Sequence, residues 1–375
     1  MSAIAANEKP ILALNCGSSS LKFGLYGCDT DTARLICEGE AEEIGKSTSS
    51  FWFKTSEEAE KRTERVGLQD HASALKRALE NIKQCEAPSP KAIGHRFVHG
   101  GPQIRVHQRV TPAVLGELRL AVDYAPLHVP AALAVLEAMQ QITPDIPEIV
   151  CLDTAFHSTM PDVAKTFALP EDVRRLGVER YGFHGVSLES ILAQLQHPPE
   201  RLVVAHLGNG ASITAIRNGK SVDTTMGLTP TGGVMMGTRC GDLDPGALIY
   251  LMRHGYESAE ALEELFDHRS GLLGVSGMTS DVRDLLSARK KDASADLALR
   301  MFCYQVQKAI SAIAAALGGV DTLVFTGGIG EHAAEVREDI SSRLEFLGGF
   351  QILVLPAQED LQIARITAKL IDSAG

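Results

Sequence analysis

From residue 11 onward, short apolar runs of strand length alternate with segments long enough for helices, and this alternation confines the chain to the α/β class. Strands are expected at Ile11–Leu14, Leu21–Tyr26, Lys91–Val98, Glu148–Leu152, Arg201–Ala205, Ser212–Arg217 and Thr322–Thr326. Helices are expected at His71–Gln84, Pro130–Gln141, Ser187–Gln196, Ser258–Arg269, Asp296–Leu317 and Ala333–Leu347. The last of these begins after a Gly-rich turn and stops at Gly348-Gly349, an ordinary helix end. The Ser-rich, charged stretch Gly45–Arg65 reads as a solvated surface excursion. With 375 residues the chain is long enough for two or three domains.

The alternation contains an internal echo. Residues 11–26, ILALNCGSSSLKFGLY, run strand, tight Gly/Ser turn, strand, and residues 202–216, LVVAHLGNGASITAI, repeat the plan. Small turn residues let backbone N–H groups converge on an anion. Two similar halves facing one another would produce this echo, and so would two unrelated hairpins.

Composition narrows the classes of function. The 36 Lys and Arg against 47 Asp and Glu leave a net charge of −11, which argues against a nucleic-acid partner. No apolar run approaches the roughly 18 residues of a membrane span. The opening MSAIAANEKPILALN lacks a basic region ahead of a long apolar stretch, so it is not read as a secretory signal. Seven cysteines, an odd number without a C-x-x-C pair, fit scattered reduced thiols in a cytoplasmic protein.

Three loops imitate nucleotide motifs. Gly39 to Gly45, followed by Lys46-Ser47, nearly spells a P-loop but has five residues between the glycines, and its glutamates would repel phosphate. Asn218-Gly219-Lys220-Ser221 is a hairpin turn between two strands. Gly328-x-Gly330-x-x-Ala333 fits a dinucleotide fingerprint after a strand, yet no acid follows at the required distance. It remains suited to an anion or a close-packed base.

Four polar constellations stand out. His95–Gly101 places Arg96 at a strand end, where a guanidinium suits a carboxylate or phosphate and equally an internal ion pair. Cys151–His157 ends an apolar strand in Asp153, the position that faces the ligand crevice in open α/β sheets. Arg180–Gly185 sets Phe183 and His184 between glycines. Met235–Pro245 carries Arg239 and two acids in a loop bounded by Gly and Pro, a polarity more often functional than structural.

In sequence order these motifs resemble the acetate kinase family of carboxylate phosphotransferases. The resemblance is carried by Asn15–Lys22, His95–Gly101, Ala125–His128, Asp153–His157, Arg180–Gly185, His206–Gly210, Met235–Pro245, Asp281–Arg283 and Phe325–Glu331. It implies two actin-like, RNase-H-like α/β domains flanking a nucleotide-binding cleft. The N-terminal domain is expected over 1–154 plus 357–375, and the nucleotide-binding domain over 155–356.

The implied reaction is reversible transfer of a phosphoryl group from ATP to acetate, giving ADP and acetyl phosphate. By the same resemblance Asp153, His184 and Arg239 are catalytic, Arg96 holds the acetate carboxylate, and Val98, Leu127, Phe183 and Pro230 wall its methyl group. His128 lies near the phosphoryl path. Ser18, Ser20 and Lys22 meet the phosphates; His206, Leu207, Gly208, Asn209 and Gly210 surround the nucleotide. Asp281, Val282 and Arg283 join them, as do Gly327, Gly328, Ile329, Gly330 and Glu331. Asn15, Asp153 and Glu359 are the candidates to hold Mg2+, with Mn2+ as an alternative. A homodimer is implied. This sequence departs from the family pattern TPLEG, which here is Thr229-Pro230-Thr231-Gly232-Gly233, and has His332 where asparagine is usual. Propionate or butyrate kinases of the same family are the near alternatives, and a non-catalytic actin-like nucleotide switch is a distant one. A switch has no use for a carboxylate clamp beside paired phosphoryl donors.

Overall fold

Both echo segments form antiparallel hairpins, and each hairpin opens a sheet of the same plan. The computed structural model describes residues 8–29 and 32–372, so the first residues of the stretch read for a secretory signal lie outside it. The first sheet contains β1 (Lys9–Cys16), β2 (Ser20–Cys28), β3 (Ala33–Glu42), β4 (Ser49–Thr55), β5 (Arg62–Val66), β6 (Ala92–Phe97), β7 (Gln108–Arg109) and β8 (Glu148–Leu152). Its order is β5-β4-β3-β2-β1-β6-β8-β7, with β1, β6 and β8 parallel and the hairpin strands antiparallel. The second contains β9 (Arg201–Leu207), β10 (Ala211–Arg217), β11 (Lys220–Thr224), β12 (Thr322–Thr326) and β13 (Gln351–Val354), ordered β11-β10-β9-β12-β13. Here too a three-strand meander joins a parallel pair. Fully buried strands such as Ile11–Leu14 and Leu202–Leu207 read as near-continuous apolar runs, as sheets covered on both faces require.

The chain divides into two compact units. One comprises the chain up to Phe156, the segment Gly185–Ser190 and the stretch from Gln358 onward. In it the helix Glu359–Asp372 packs Ile363, Ala364, Ile366 and Ala368 against Ile11, Ala13, Ala92, Ile149 and Cys151. Gly94 permits this approach, since a Cβ there would sit 2.2 Å from Thr367 Oγ1. The other unit comprises His157–His184 and Ile191–Ala357. Its core is built on the 25-residue helix Ala293–Leu317, capped by Asp292 and ended by Gly318 in the left-handed region.

Several expectations need correction. The stretch Gly45–Arg65 is not a solvated excursion: it supplies β4 and most of β5. Ser49, Phe51 and Phe53 alternate inward along β4, and the two phenylalanine rings stack on Phe23. That period-two pattern, hidden among charged neighbours, is the strand signal. The helix expected over Ser258–Arg269 is Ala259–Glu263 followed by a π turn, Glu264–His268. The one expected over Ala333–Leu347 is Ala334–Ser341 plus a short 3-10 turn, Glu345–Leu347. Gly327–His332, expected as a turn, is itself a short helix. Asn218 and Gly219 form the expected hairpin turn, both at positive φ (49° and 75°). All seven cysteines are free. Among the described residues no helix is long and apolar enough to cross a membrane.

Candidate active site

In the first unit the polar residues gather where β1, β6 and β8 end. Asn15 stands beside Arg96 across the parallel β1–β6 pair, and Asp153 directly follows β8. Arg96 donates from Nε to both Asp153 oxygens (3.2 and 3.1 Å) and from Nη2 to Oδ2 (2.6 Å). Its Nη1 donates to Asn15 Oδ1 at 3.0 Å. Asn15 Nδ2 in turn donates to Glu359 Oε2 (3.1 Å) and Asp360 Oδ1 (2.9 Å), the first two residues of the C-terminal helix.

Burial dominates the electrostatics here. Asp153 is 1% exposed, and desolvation pushes its carboxyl above the usual range against the pull of Arg96. Desolvation likewise pushes Asp360 up to about 6, opposed by the hydrogen bond from Asn15. Burial works against the Arg96 charge, but Asp153 and Glu359 outweigh it and raise the guanidinium above its ordinary value. A cluster of acids with one arginine is a site that a further cation would stabilise. Among the described residues no three His, Cys, Asp or Glu side chains converge as a metal-binding group. Magnesium needs only one or two carboxylates when phosphates and waters complete its shell, so the carboxylate oxygens of Asp153 and Glu359 suit it.

The glycine-serine turn between β1 and β2 is drawn tight by Gly17 N–H donating to the Ser20 carbonyl at 2.9 Å. His71 Nε2 meets the Gly17 carbonyl at 3.0 Å. Ser18 is exposed, Ser20 half-buried, and Lys22 points to solvent with Glu40 3.7 Å away. Val98 is buried, and Leu127 and His128 are half-buried just before the helix Val129–Ile142.

In the second unit three segments converge on Gly210. A Cβ there would lie 3.3 Å from His184 Nε2 and 3.4 Å from Arg239 Nη1, so both side chains flank a glycine that leaves them room. His184 takes φ 61°, left-handed for a non-glycine residue and typical of strained functional positions. Its Nδ1 bonds Ser212 Oγ at 2.9 Å, leaving Nε2 as the nitrogen at Gly210, and its ring stacks on His206 at 4.1 Å. Gly237 N–H donates to the Asn209 carbonyl (3.1 Å), tying the Arg239 loop to the turn after β9. Arg239 Nη1 donates to the Pro230 carbonyl at 3.3 Å. Phe183 is buried beside this set, with its carbonyl on His157 Nε2. Gly327 packs on Leu207 and His206, at φ 77° and with no room for a Cβ. Glu331 Oε1 accepts from Gly327 N–H and Ala357 N–H, so this acid fastens backbone. Gly328 and Ile329 are open to solvent in part, while Gly330 is buried. Asp281 caps the helix Val282–Ala288 and pairs with Arg283, a contact among neighbours at the surface, while Val282 is buried.

Comparison with known proteins decides the family. The sequence profile of the acetokinase family matches residues 10–364. The chain belongs to the acetokinase family. It is 38% identical over 400 residues to the acetate kinase of Thermoanaerobacterium thermosaccharolyticum, spanning 97% of this chain and 99% of that one. Among solved structures it is similar to the acetate kinase of Porphyromonas gingivalis, with 36% identity, a TM-score of 0.84 and coverage of 97% and 100%. A propionate kinase from Francisella tularensis is similar as well, with 34% identity, a TM-score of 0.89 and coverage of 96% and 100%. The acetokinase fold thus accounts for the two α/β units and their repeated sheet plan.

Within that fold the structure joins Asn15, Arg96, Asp153 and Glu359 in one network and His184, His206–Gly210, Arg239 and Gly327 in another. Asp360, Ser212 and Asp267 were not among the sequence candidates. Asp360 had a signal, since it neighbours Glu359 on an acidic helix start, whereas Ser212 lies in the second echo segment with nothing to mark its hydroxyl and Asp267 carries no motif.

Proposed function

We propose that this chain is an acetate kinase, transferring the γ-phosphoryl group of ATP to acetate and reversing the transfer from acetyl phosphate. The observation that carries the reading is that each unit holds its own polar set, a buried arginine-acid network at the strand ends of the first and a histidine-arginine pair around Gly210 in the second. A nucleotide switch would need neither.

Phosphoryl transfer asks for positioning and charge neutralisation rather than covalent help. Arg96 has five N–H donors, and Asp153 and Asn15 engage only some of them, so others remain for an acetate carboxylate. By the family resemblance Val98, Leu127, Phe183 and Pro230 would wall the methyl group, and His128 would line the phosphoryl path. His184 Nε2 and Arg239 donate to the equatorial phosphoryl oxygens, where charge develops. Ser18, Ser20 and Lys22 bind phosphate; His206–Gly210, Asp281–Arg283 and Gly327–Glu331 hold the nucleotide. Glu359 and Asp153, with Asn15, would hold magnesium, whose charge would neutralise the phosphates. Manganese can replace it.

The protein works in the cytoplasm as a homodimer. Pro245–Met252, sequence PGALIYLM, has no buried residue despite being wholly apolar, which suits cover by a second copy. Its Asp244 cap precedes it and Arg253 follows it, so an antiparallel two-fold pairing sets opposite charges together.

The test is hydroxylamine trapping of acyl phosphate with ATP and acetate, propionate or butyrate in parallel. Acetate is expected to lead, with some propionate turnover, because one methylene is worth only about 1–3 kcal/mol in a pocket. The propionate kinase likeness makes propionate the second reading. Equal kcat/KM for butyrate and acetate, or no trapping at all, defeats the proposal.

A further inference from the structure

The loop that carries Arg239 is fastened by an acid that no step above uses. Asp267 lies in the π turn Glu264–His268, a helical irregularity often found at functional sites. Its Oδ1 accepts from Thr231 Oγ1 at 2.5 Å, and its main-chain carbonyl accepts from Thr238 Oγ1 at 2.6 Å. Thr231 directly follows Pro230, whose carbonyl receives Arg239 Nη1, and Thr238 directly precedes Arg239. One residue thus grips the chain beside the guanidinium's anchor and beside its own backbone. The neighbours of Asp267 extend the grip: Cys240 N–H donates to the Phe266 carbonyl at 3.0 Å and Ser270 N–H to the Thr238 carbonyl at 2.9 Å. Burial pulls the Arg239 guanidinium below its ordinary pKa, and the Asp267 charge opposes that pull.

We propose that Asp267 is a positioning residue for Arg239, holding its guanidinium in place through the hydroxyls of Thr231 and Thr238. The proposal rests on the kinase reading for the role of Arg239, but the geometry of the latch does not. Thr231 stands where the family pattern TPLEG has leucine, and leucine has no hydroxyl to give. The latch through its side chain is therefore particular to chains that carry a hydroxyl here. Displacing a reacting group's partner by about 1 Å costs up to a hundredfold in rate, so losing a fastening of this kind should be visible in turnover.

The test uses the full chain and the variants Thr231→Val, Asp267→Ala, Asp267→Asn and the double Thr231→Val/Asp267→Ala. Two measurements are made on each: kcat and KM by acyl-phosphate trapping, and the rate at which phenylglyoxal labels Arg239, followed by peptide mass spectrometry. Thr231→Val and Asp267→Ala should each lower kcat about tenfold, leave both KM values within about twofold, and speed labelling of Arg239. The double variant should be no worse than Asp267→Ala, because both remove one hydrogen bond. Asp267→Asn keeps an acceptor for Thr231 and should restore most of kcat and the slow labelling. Unchanged kcat and labelling in both single variants, additive losses in the double, or no rescue by asparagine would overturn the proposal. If the wild-type chain forms no acyl phosphate, the kinase reading fails, and the labelling rates still decide whether Asp267 holds Arg239.

Discussion

Arg96 meets Asp153 with two of its nitrogens, at 2.6 Å for the shortest contact, while the acid is only 1% exposed. Such a pair is both a structural tie and a reservoir of directed charge, and the two roles separate under mutation. Arg96→Ala should raise the acetate KM by about tenfold to a hundredfold, the range of a hydrogen bond to a charged group. It leaves Asp153 buried without its partner, so folding stability should fall by about 3–5 kcal/mol. Calorimetric binding of ADP at a temperature where the variant is folded should be nearly unchanged. An unaltered acetate KM with lowered stability would leave Arg96 as an ion-pair residue alone.

Asp153 invites the label of general base, and the chemistry argues otherwise. Acetate has a pKa near the Glu value of about 4.3, so at neutral pH it has no proton to give up. Asp153→Asn should therefore lose activity through the metal, with a raised magnesium requirement and no new dependence on basic groups. Titrating magnesium at several pH values in wild type and variant checks this. Rescue by small bases, with the magnesium response unaltered, would point to proton abstraction.

A second buried pair predicts the pH dependence of stability. Within the first sheet His95 Nε2 lies 3.7 Å from Glu148 Oε2, and neither atom has a hydrogen-bond partner. Burial pushes His95 down to about 3 and Glu148 from 4.5 up to about 7. Between those two carboxyl values the folded chain holds a proton that the unfolded chain has lost. Stability from this group therefore falls as pH rises through the window, by about 3 kcal/mol in all. Glu148→Gln removes this contribution and leaves the opposite one of His95, whose buried neutral ring gains stability as pH rises from about 3; the variant should exceed wild type in urea unfolding at pH 8 and match it at pH 4.5. A difference between the two proteins that stays constant with pH would count against the burial argument.

Gly210 should tolerate substitution structurally and not catalytically. Its Cβ would crowd His184 Nε2 and Arg239 Nη1 at 3.3 and 3.4 Å, and its backbone is not in the left-handed region. Gly210→Ala should keep a thermal midpoint close to wild type and lose about tenfold or more in kcat. Full activity would mean that the two donors do not act at that point.

The α/β class, both hairpins and most strands were legible because buried parallel strands read as unbroken apolar runs, as in Thr322–Thr326. The strand Ser49–Thr55 was not, because only every second residue faces inward and Lys54 and Ser50 break the run. The residues of the two networks come from motifs visible in the sequence: Asn15, His184 and Arg239 stand near glycines, and Asp153 ends an apolar strand. Ser212 and Asp267 were invisible because their contacts depend on spatial neighbours: a strand residue bonding His184, and a π turn reaching back to Thr231. Glu331 carries a contact that its motif did not reveal: its Oε1 accepts from the backbone N–H groups of Gly327 and Ala357.

The helix Glu359–Asp372 completes the unit that the chain begins. A ribosome delivers β1 and its glycine-serine turn long before this helix, so the unit started earlier is finished later than the other. Until that helix emerges, Ile11, Ala13 and Ile149 lack the cover of Ile363 and Ala364, and Asn15 lacks both acids it bonds. The unit built from Ile191–Ala357 and His157–His184 has all its residues by then. Domains fold as units during synthesis. In this chain the unit begun first is therefore the one closed last, and a released chain ending at Gln358 carries all residues of one unit and an open sheet in the other.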